Sequence, residues 1–138
     1  MKKEWARVDS WNKSGKFFTV KVKHWINEYI IPELEGNEDH GHRWNVYVFI
    51  HKKHPLFRKV RRGLFTKLPF DMPWGNTYYQ YHYDHKKRIT TKEYGYDYQH
   101  LHQNHFRRME TREEAHEVFF DADKIFNIMK SMEDEVRE

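Results

Sequence analysis

The chain contains no cysteine. Disulfide staples, cysteine-ligated zinc and thiol nucleophiles are excluded with it, and the absence suits a reducing compartment. Proline and glycine are also sparse, with four prolines (Pro32, Pro55, Pro69 and Pro73) and six glycines. No Gly/Ser/Pro-rich stretch offers a linker, so the 138 residues are expected to form one domain, 1–138, with 1–13 as a loosely ordered leading segment. No apolar run approaches the ~18 residues of a membrane-spanning helix. The opening MKKEWARVDS has no apolar core of a secretory signal. The expectation is a cytoplasmic protein without a membrane partner. P-loop, GxGxxG and HExxH patterns are all missing, and the lone glycines cradle no phosphate in a recognisable way.

Aliphatic residues are scarce too, and aromatics fill the gap at 17% of the chain. A core built from this sequence must lean on Phe, Tyr and Trp, each of which buries a large area. Charged residues make up 33% and the mean hydropathy is −1.10, near the polar limit of what folds. The aromatic content argues against a disordered chain. The net charge of +4 conceals an uneven distribution. From His51 to Lys67 there are seven Lys and Arg and no acid, whereas Glu110 to Glu138 holds ten acids against four bases. A basic middle and an acidic tail either neutralise each other across the fold or form two separate faces.

The hydrophobic pattern predicts several strands and one helix. SGKFFTVKVKHW (14–25) alternates, with Phe18, Val20 and Val22 on one side and Lys21 and Lys23 on the other. WNVYVFI (44–50) reads as a central strand, with Pro55 closing the ladder after it. TYYQYHYD (77–84) and RITTKEYGYDY (88–98) form a hairpin around Asp84–Lys87, and Gly95 marks a bulge or a close backbone approach. Thr111 with Glu114 makes a capping box. After it, Ala115, Val118, Phe119, Ala122, Ile125, Phe126, Met129 and Met132 recur at helical spacing, giving a helix over about 112–132. The fold class expected is α+β: a small, mostly antiparallel sheet with one long C-terminal helix packed on it.

Three motifs fall in a familiar order: HPLF at 54–57, WGNTYY at 74–79 and GYDYQH at 95–100, with the amphipathic helix behind them. In this the chain resembles a group of small bacteriophage and prophage proteins. That group carries an HPL turn, a Gly-Gly-x-Thr-Tyr/Phe stretch and a Gly-x-Asp-x-x-His stretch, and the likeness spans roughly residues 44–132. The resemblance carries over His54, Gly75, Thr77, Gly95, Asp97 and His100. Where the group often has His, this chain has Trp74, and where it often has Cys or another small residue, this chain has Tyr98. The resemblance implies a setting, phage biology inside a bacterial cell, and no particular chemistry.

Three candidate sites follow. His54, Asp97 and His100 are expected to form a polar network that holds the HPL turn; with His102 the same residues are the ligand set of an alternative, a metal-dependent hydrolase. On a regular strand, however, Asp97 points away from Tyr96, Tyr98 and His100. The strand 77–84 offers a tyrosine face, Tyr79, Tyr81 and Tyr83, with Tyr78, Gln80 and His82 opposite. One of these faces is expected to meet the helix and the other to be open to a ligand. The basic patch, Lys52, Lys53, Arg58, Lys59, Arg61 and Arg62, suits phosphates or a protein partner. An acidic helix face (Glu113, Glu114, Glu117, Asp121, Asp123) completes the surface. No nucleophile has an elbow-type context, so binding is expected in place of catalysis, with no cofactor. The leading reading is a phage-encoded accessory or counter-defence protein that binds and inhibits a host protein assembly. The alternatives are a nucleotide or nucleic-acid binder that uses the tyrosine face and basic patch, and the His/Asp hydrolase.

Overall fold

The computed structural model describes residues 5–27, 41–72, 75–98 and 108–135. Five strands, β1 (Trp5–Ser14), β2 (Phe18–Asn27), β3 (Gly41–His51), β4 (Tyr78–Tyr83) and β5 (Ile89–Asp97), form an antiparallel sheet of order β1-β2-β3-β5-β4. One helix, α1 (His116–Glu135), packs on β2 and β3, giving an α+β architecture. The segment expected to be loosely ordered is instead largely strand: Trp5–Ser14 pairs with β2 along its length, with a bulge between Arg7 and Asp9. Trp11 explains part of this, since its ring stacks on Trp44 and meets Phe119 of α1 edge-on at 5.0 Å.

Alternation sets the two sheet faces. Phe18, Val20, Val22 and His24 of β2, Trp44, Val46, Val48 and Ile50 of β3, and Tyr94 and Tyr96 of β5 are buried toward α1. The helix answers with Val118, Ala122, Ile125 and Met129. Its capping box forms in part: Thr111 Oγ1 accepts the Glu114 N–H at 3.1 Å, and the Glu114 carboxylate receives the Thr111 hydroxyl and the Glu110 N–H. The regular helix begins at His116, four residues later than the spacing suggests, because 111–115 is a turn closed by Ala115 N–H to Thr111 O at 3.0 Å. At the other end, Glu133 accepts the N–H groups of Lys16 and Phe17 (3.0 and 2.6 Å), tying the helix to the β1–β2 turn.

Gly95 sits where the backbone must come close. A Cβ there would lie 2.5 Å from the Tyr47 ring and 2.9 Å from the Val46 carbonyl. The ring of Tyr47 uses that bare backbone as its seat. Among the described residues no element packs on this second face of the sheet. Its rings are covered by lysine stems: Lys23 Nζ is 4.9 Å from Tyr47 and Lys21 Nζ 5.2 Å from Phe49.

Candidate functional site

The segment 52–72 leaves β3 and crosses to the outer edge of the sheet. It descends through consecutive turns, His54 N–H to His51 O, Phe57 N–H to His54 O and Lys59 N–H to Leu56 O. Leu56, Val60, Phe70 and Met72 sink into the core. From below, β5 holds the backbone: Lys92 Nζ donates to Phe57 O and Val60 O at 2.7 and 3.0 Å, and the Tyr94 hydroxyl donates to Arg61 O at 2.6 Å. Burial lowers the pKa of the Lys92 ammonium and raises that of the Tyr94 phenol.

Anchored by its apolar residues, the segment turns every cation outward. Lys52, Lys53, Arg58, Lys59, Arg61, Arg62 and Lys67 are exposed, and among the described residues none takes part in an ion pair. The acidic end does not neutralise them. Asp123 pairs with Lys13, Asp134 with Lys130, Glu110 approaches His42, and Glu133 caps the β1–β2 turn. The expected acidic helix face is also reduced: Asp121 turns inward and accepts the Tyr98 hydroxyl at 2.6 Å, while Tyr98 is bonded in turn to Tyr96. Glu113 and Glu114 precede the helix, and Glu117 and Asp123 remain on its exposed side.

The basic patch and the tyrosine face form one surface. Tyr79, Tyr81 and Tyr83 lie on the same side of β4 as the 52–72 segment. Arg62 Nη2 donates to the Tyr83 hydroxyl at 2.7 Å, and its guanidinium sits 4.9 Å from the Tyr81 ring centre. Tyr81 is half-buried against Tyr94, whereas Tyr79 and Tyr83 are exposed. Neither face of β4 meets α1, contrary to expectation, because β4 is the sheet edge on the far side of β5 and α1 covers β2 and β3. Beside Tyr83, the hairpin turn adds exposed His85, Lys86 and Lys87. Its one acid, Asp84, is held below the usual carboxylate range by the Arg88 and Lys86 N–H groups and the Arg88 guanidinium. An open concavity lined by Lys52, Lys53, His54, Pro55 and Arg58 adjoins this surface.

A rigid tip rises from the same segment. Leu64 and Phe65 are 52% and 68% exposed. The backbone under them is clamped by the fully buried Asn76: its carbonyl accepts Phe65 N–H at 2.9 Å, its Oδ1 accepts Thr66 N–H at 2.7 Å, and its Nδ2 donates to Gly63 O at 2.9 Å.

The polar site proposed from sequence is not assembled from His54 and Asp97. His54 is buried, its Nδ1 accepts the Leu56 N–H at 3.1 Å, and its Nε2 therefore carries the proton and donates to Met129 O at 3.0 Å. Both ring nitrogens are used in pinning the HPL turn to α1, which leaves no lone pair for a metal or a substrate. Asp97 lies opposite Asn45 while His51 lies opposite Thr91, so six residues of strand, about 20 Å, separate it from the His54 turn. Its side chain also belongs to the sheet face away from α1. His100 and His102 lie outside the described residues. No cluster of three metal-ligating side chains exists among the described residues.

Two polar groupings carried no signal in the pattern. His24 Nε2 meets His42 Nδ1 at 2.8 Å, with His24 stacked on Trp44 at 4.1 Å. Burial, then the neighbouring His42, brings the His24 pKa down to about 4, with Asp9 opposing. On the other face, the buried Glu93 binds His82 Nε2 at 2.8 Å, and burial followed by Glu93 pushes the Tyr47 phenol up to about 12. Both depend on partners from other strands, which spacing along one strand cannot reveal. Comparison with protein families, with curated proteins and with solved structures finds no match to this chain.

Proposed function

We propose that this chain is a non-catalytic nucleic-acid-binding protein whose working surface is the cationic tyrosine face of the 52–72 segment and β4. The observation that carries the reading is Arg62, which joins the basic run to the tyrosine row by a hydrogen bond to Tyr83 and a ring contact with Tyr81. Seven exposed cations without ionic partners among the described residues supply phosphate attraction. Exposed tyrosine rings supply stacking. His54 is committed to structure at both nitrogens, so the hydrolase alternative loses its central ligand. In the phage setting that the resemblance implies, such a protein acts inside the bacterial host.

A second reading, inhibition of a host protein assembly, is favoured by the exposed Phe65 among arginines, since aromatic and Arg side chains are enriched at protein interfaces. Fluorescence anisotropy with labelled single-stranded and duplex oligonucleotides at low salt tests the first reading. Binding with a dissociation constant of roughly 10⁻⁶ to 10⁻⁴ M or tighter is expected. A flat titration at low salt overturns it and leaves the protein partner, sought by pull-down from host lysate followed by direct titration of the purified candidate.

A further inference from the structure

We infer that Phe65 is a preformed stacking platform for an unpaired nucleobase, so that this surface selects single-stranded nucleic acid over duplex; the inference rests on the nucleic-acid reading above. Phe65 is the most exposed large apolar side chain among the described residues. Its φ is +57°, in the left-handed region that a bulky residue rarely adopts. A glycine at 65 would relieve that conformation, yet glycines stand at 63 and 75 and the phenylalanine at the tip. Gly63 (φ +128°) turns the chain into the tip, and Gly75 makes room for the ring, since a Cβ there would lie 2.7 Å from Phe65 Cδ1. The Asn76 clamp and the Thr66 hydroxyl, which donates to Gly63 O at 2.7 Å, hold the loop in this shape. The ring is thus displayed on a hydrogen-bonded backbone, which lowers the entropy lost when a partner docks on it.

The surroundings choose the partner. Arg61, Arg62 and Lys67 flank the tip, all exposed, and no acid occurs from His51 to Lys67. The partner must therefore be anionic and must also present a flat apolar surface to the ring. Nucleic acid combines both. In a duplex the base faces are already stacked on each other, whereas an unpaired base has a free face. Tyr79 and Tyr83 of the neighbouring strand are also exposed, and the Tyr94 hydroxyl bonded to Arg61 O ties the loop to the sheet beneath it.

The test is anisotropy with a labelled single-stranded oligonucleotide and its duplex at one fixed salt concentration. The proteins are wild type, Phe65→Ala, Phe65→Trp, Phe65→Gly and the double variant Arg61→Ala/Arg62→Ala. Phe65→Ala is expected to weaken single-strand binding about 5- to 100-fold, with duplex binding changed about twofold or less. Phe65→Trp restores the preference. Phe65→Gly weakens it without lowering the thermal midpoint, which a merely structural role for Phe65 would not produce. Unchanged single-strand binding in Phe65→Ala, with binding lost in the arginine variant, overturns the platform and keeps the nucleic-acid reading. Absence of binding to either oligonucleotide by wild type overturns both. So does binding of phosphatidylserine vesicles, in place of oligonucleotides, that is abolished by Phe65→Ala, because the tip then belongs to a lipid surface.

Discussion

At the scale of single residues, histidine is the most informative type in this chain, and His24, His42, His54 and His82 are held in side-chain hydrogen bonds within the fold. His54 satisfies a buried N–H and a buried carbonyl with one ring. His54→Ala strands both groups and leaves a cavity, so a loss of about 3 kcal/mol is expected in urea unfolding. A loss under about 1 kcal/mol would show that water replaces the ring. His24 predicts a pH dependence. Its folded pKa of about 4 lies below the ordinary 6.5, so the folded chain keeps it neutral while the unfolded chain takes up a proton. This contribution to stability is fully present above pH 6.5 and is lost as pH falls toward 4, by up to about 3 kcal/mol. Urea midpoints measured across that window should fall in wild type and fall less in His24→Phe. Equal slopes would assign the acid sensitivity to other groups.

At the scale of elements, β5 is the hub. It pairs with β3 and β4, and its alternate residues Lys92, Tyr94 and Tyr96 face the core while Glu93, Gly95 and Asp97 face the other way. Lys92 and Tyr94 also hold the 52–72 segment through three carbonyls, so the basic segment inherits its position from this strand. Gly95 shows how tightly the strand is matched to β3. Gly95→Ala puts a methyl into the Tyr47 ring and is expected to cost about 1–3 kcal/mol, read from the thermal midpoint. The accompanying change in near-ultraviolet circular dichroism would report displacement of Tyr47. A variant as stable as wild type, with the tyrosine signal unchanged, would mean that the ring yields freely.

At the scale of the whole molecule, charge separation is the governing feature. Five acids of the C-terminal region, Glu110, Asp121, Asp123, Glu133 and Asp134, engage His42, Tyr98, Lys13, the β1–β2 turn and Lys130, while the basic segment is left open to solvent. Binding of a single-stranded oligonucleotide should therefore fall steeply with salt. A log–log slope near −3 corresponds to about four neutralised phosphates, and Arg61→Ala/Arg62→Ala should reduce it by about 1 to 2. A slope near zero would be inconsistent with a phosphate-led interface.

These outcomes also separate what lay in the sequence from what did not. Period-two alternation predicted β2, the β-branched and aromatic run predicted β3, two strand-like runs about a turn predicted the β4–β5 hairpin, and the 3-and-4 spacing predicted α1, because each signal is local to one stretch of chain. The parity of Asp97 against Tyr96 and Tyr98 followed from the same repeat. The basic run and the tyrosine row were both legible as composition. Their union was not, since Arg62 and Tyr83 stand 21 residues apart and meet only because β4 folds back outside β5. The same topology sent His54 and Asp97 to opposite ends of the sheet, and it revealed β1, whose mixed polar sequence carries little period of its own. The sequence by itself determined β2 to β5, the helix and the sign of each charged stretch, which depend on neighbours along the chain. Strand order, register and the clamp that holds Phe65 outward were decided only in the tertiary structure, because each depends on residues brought together across long stretches of chain.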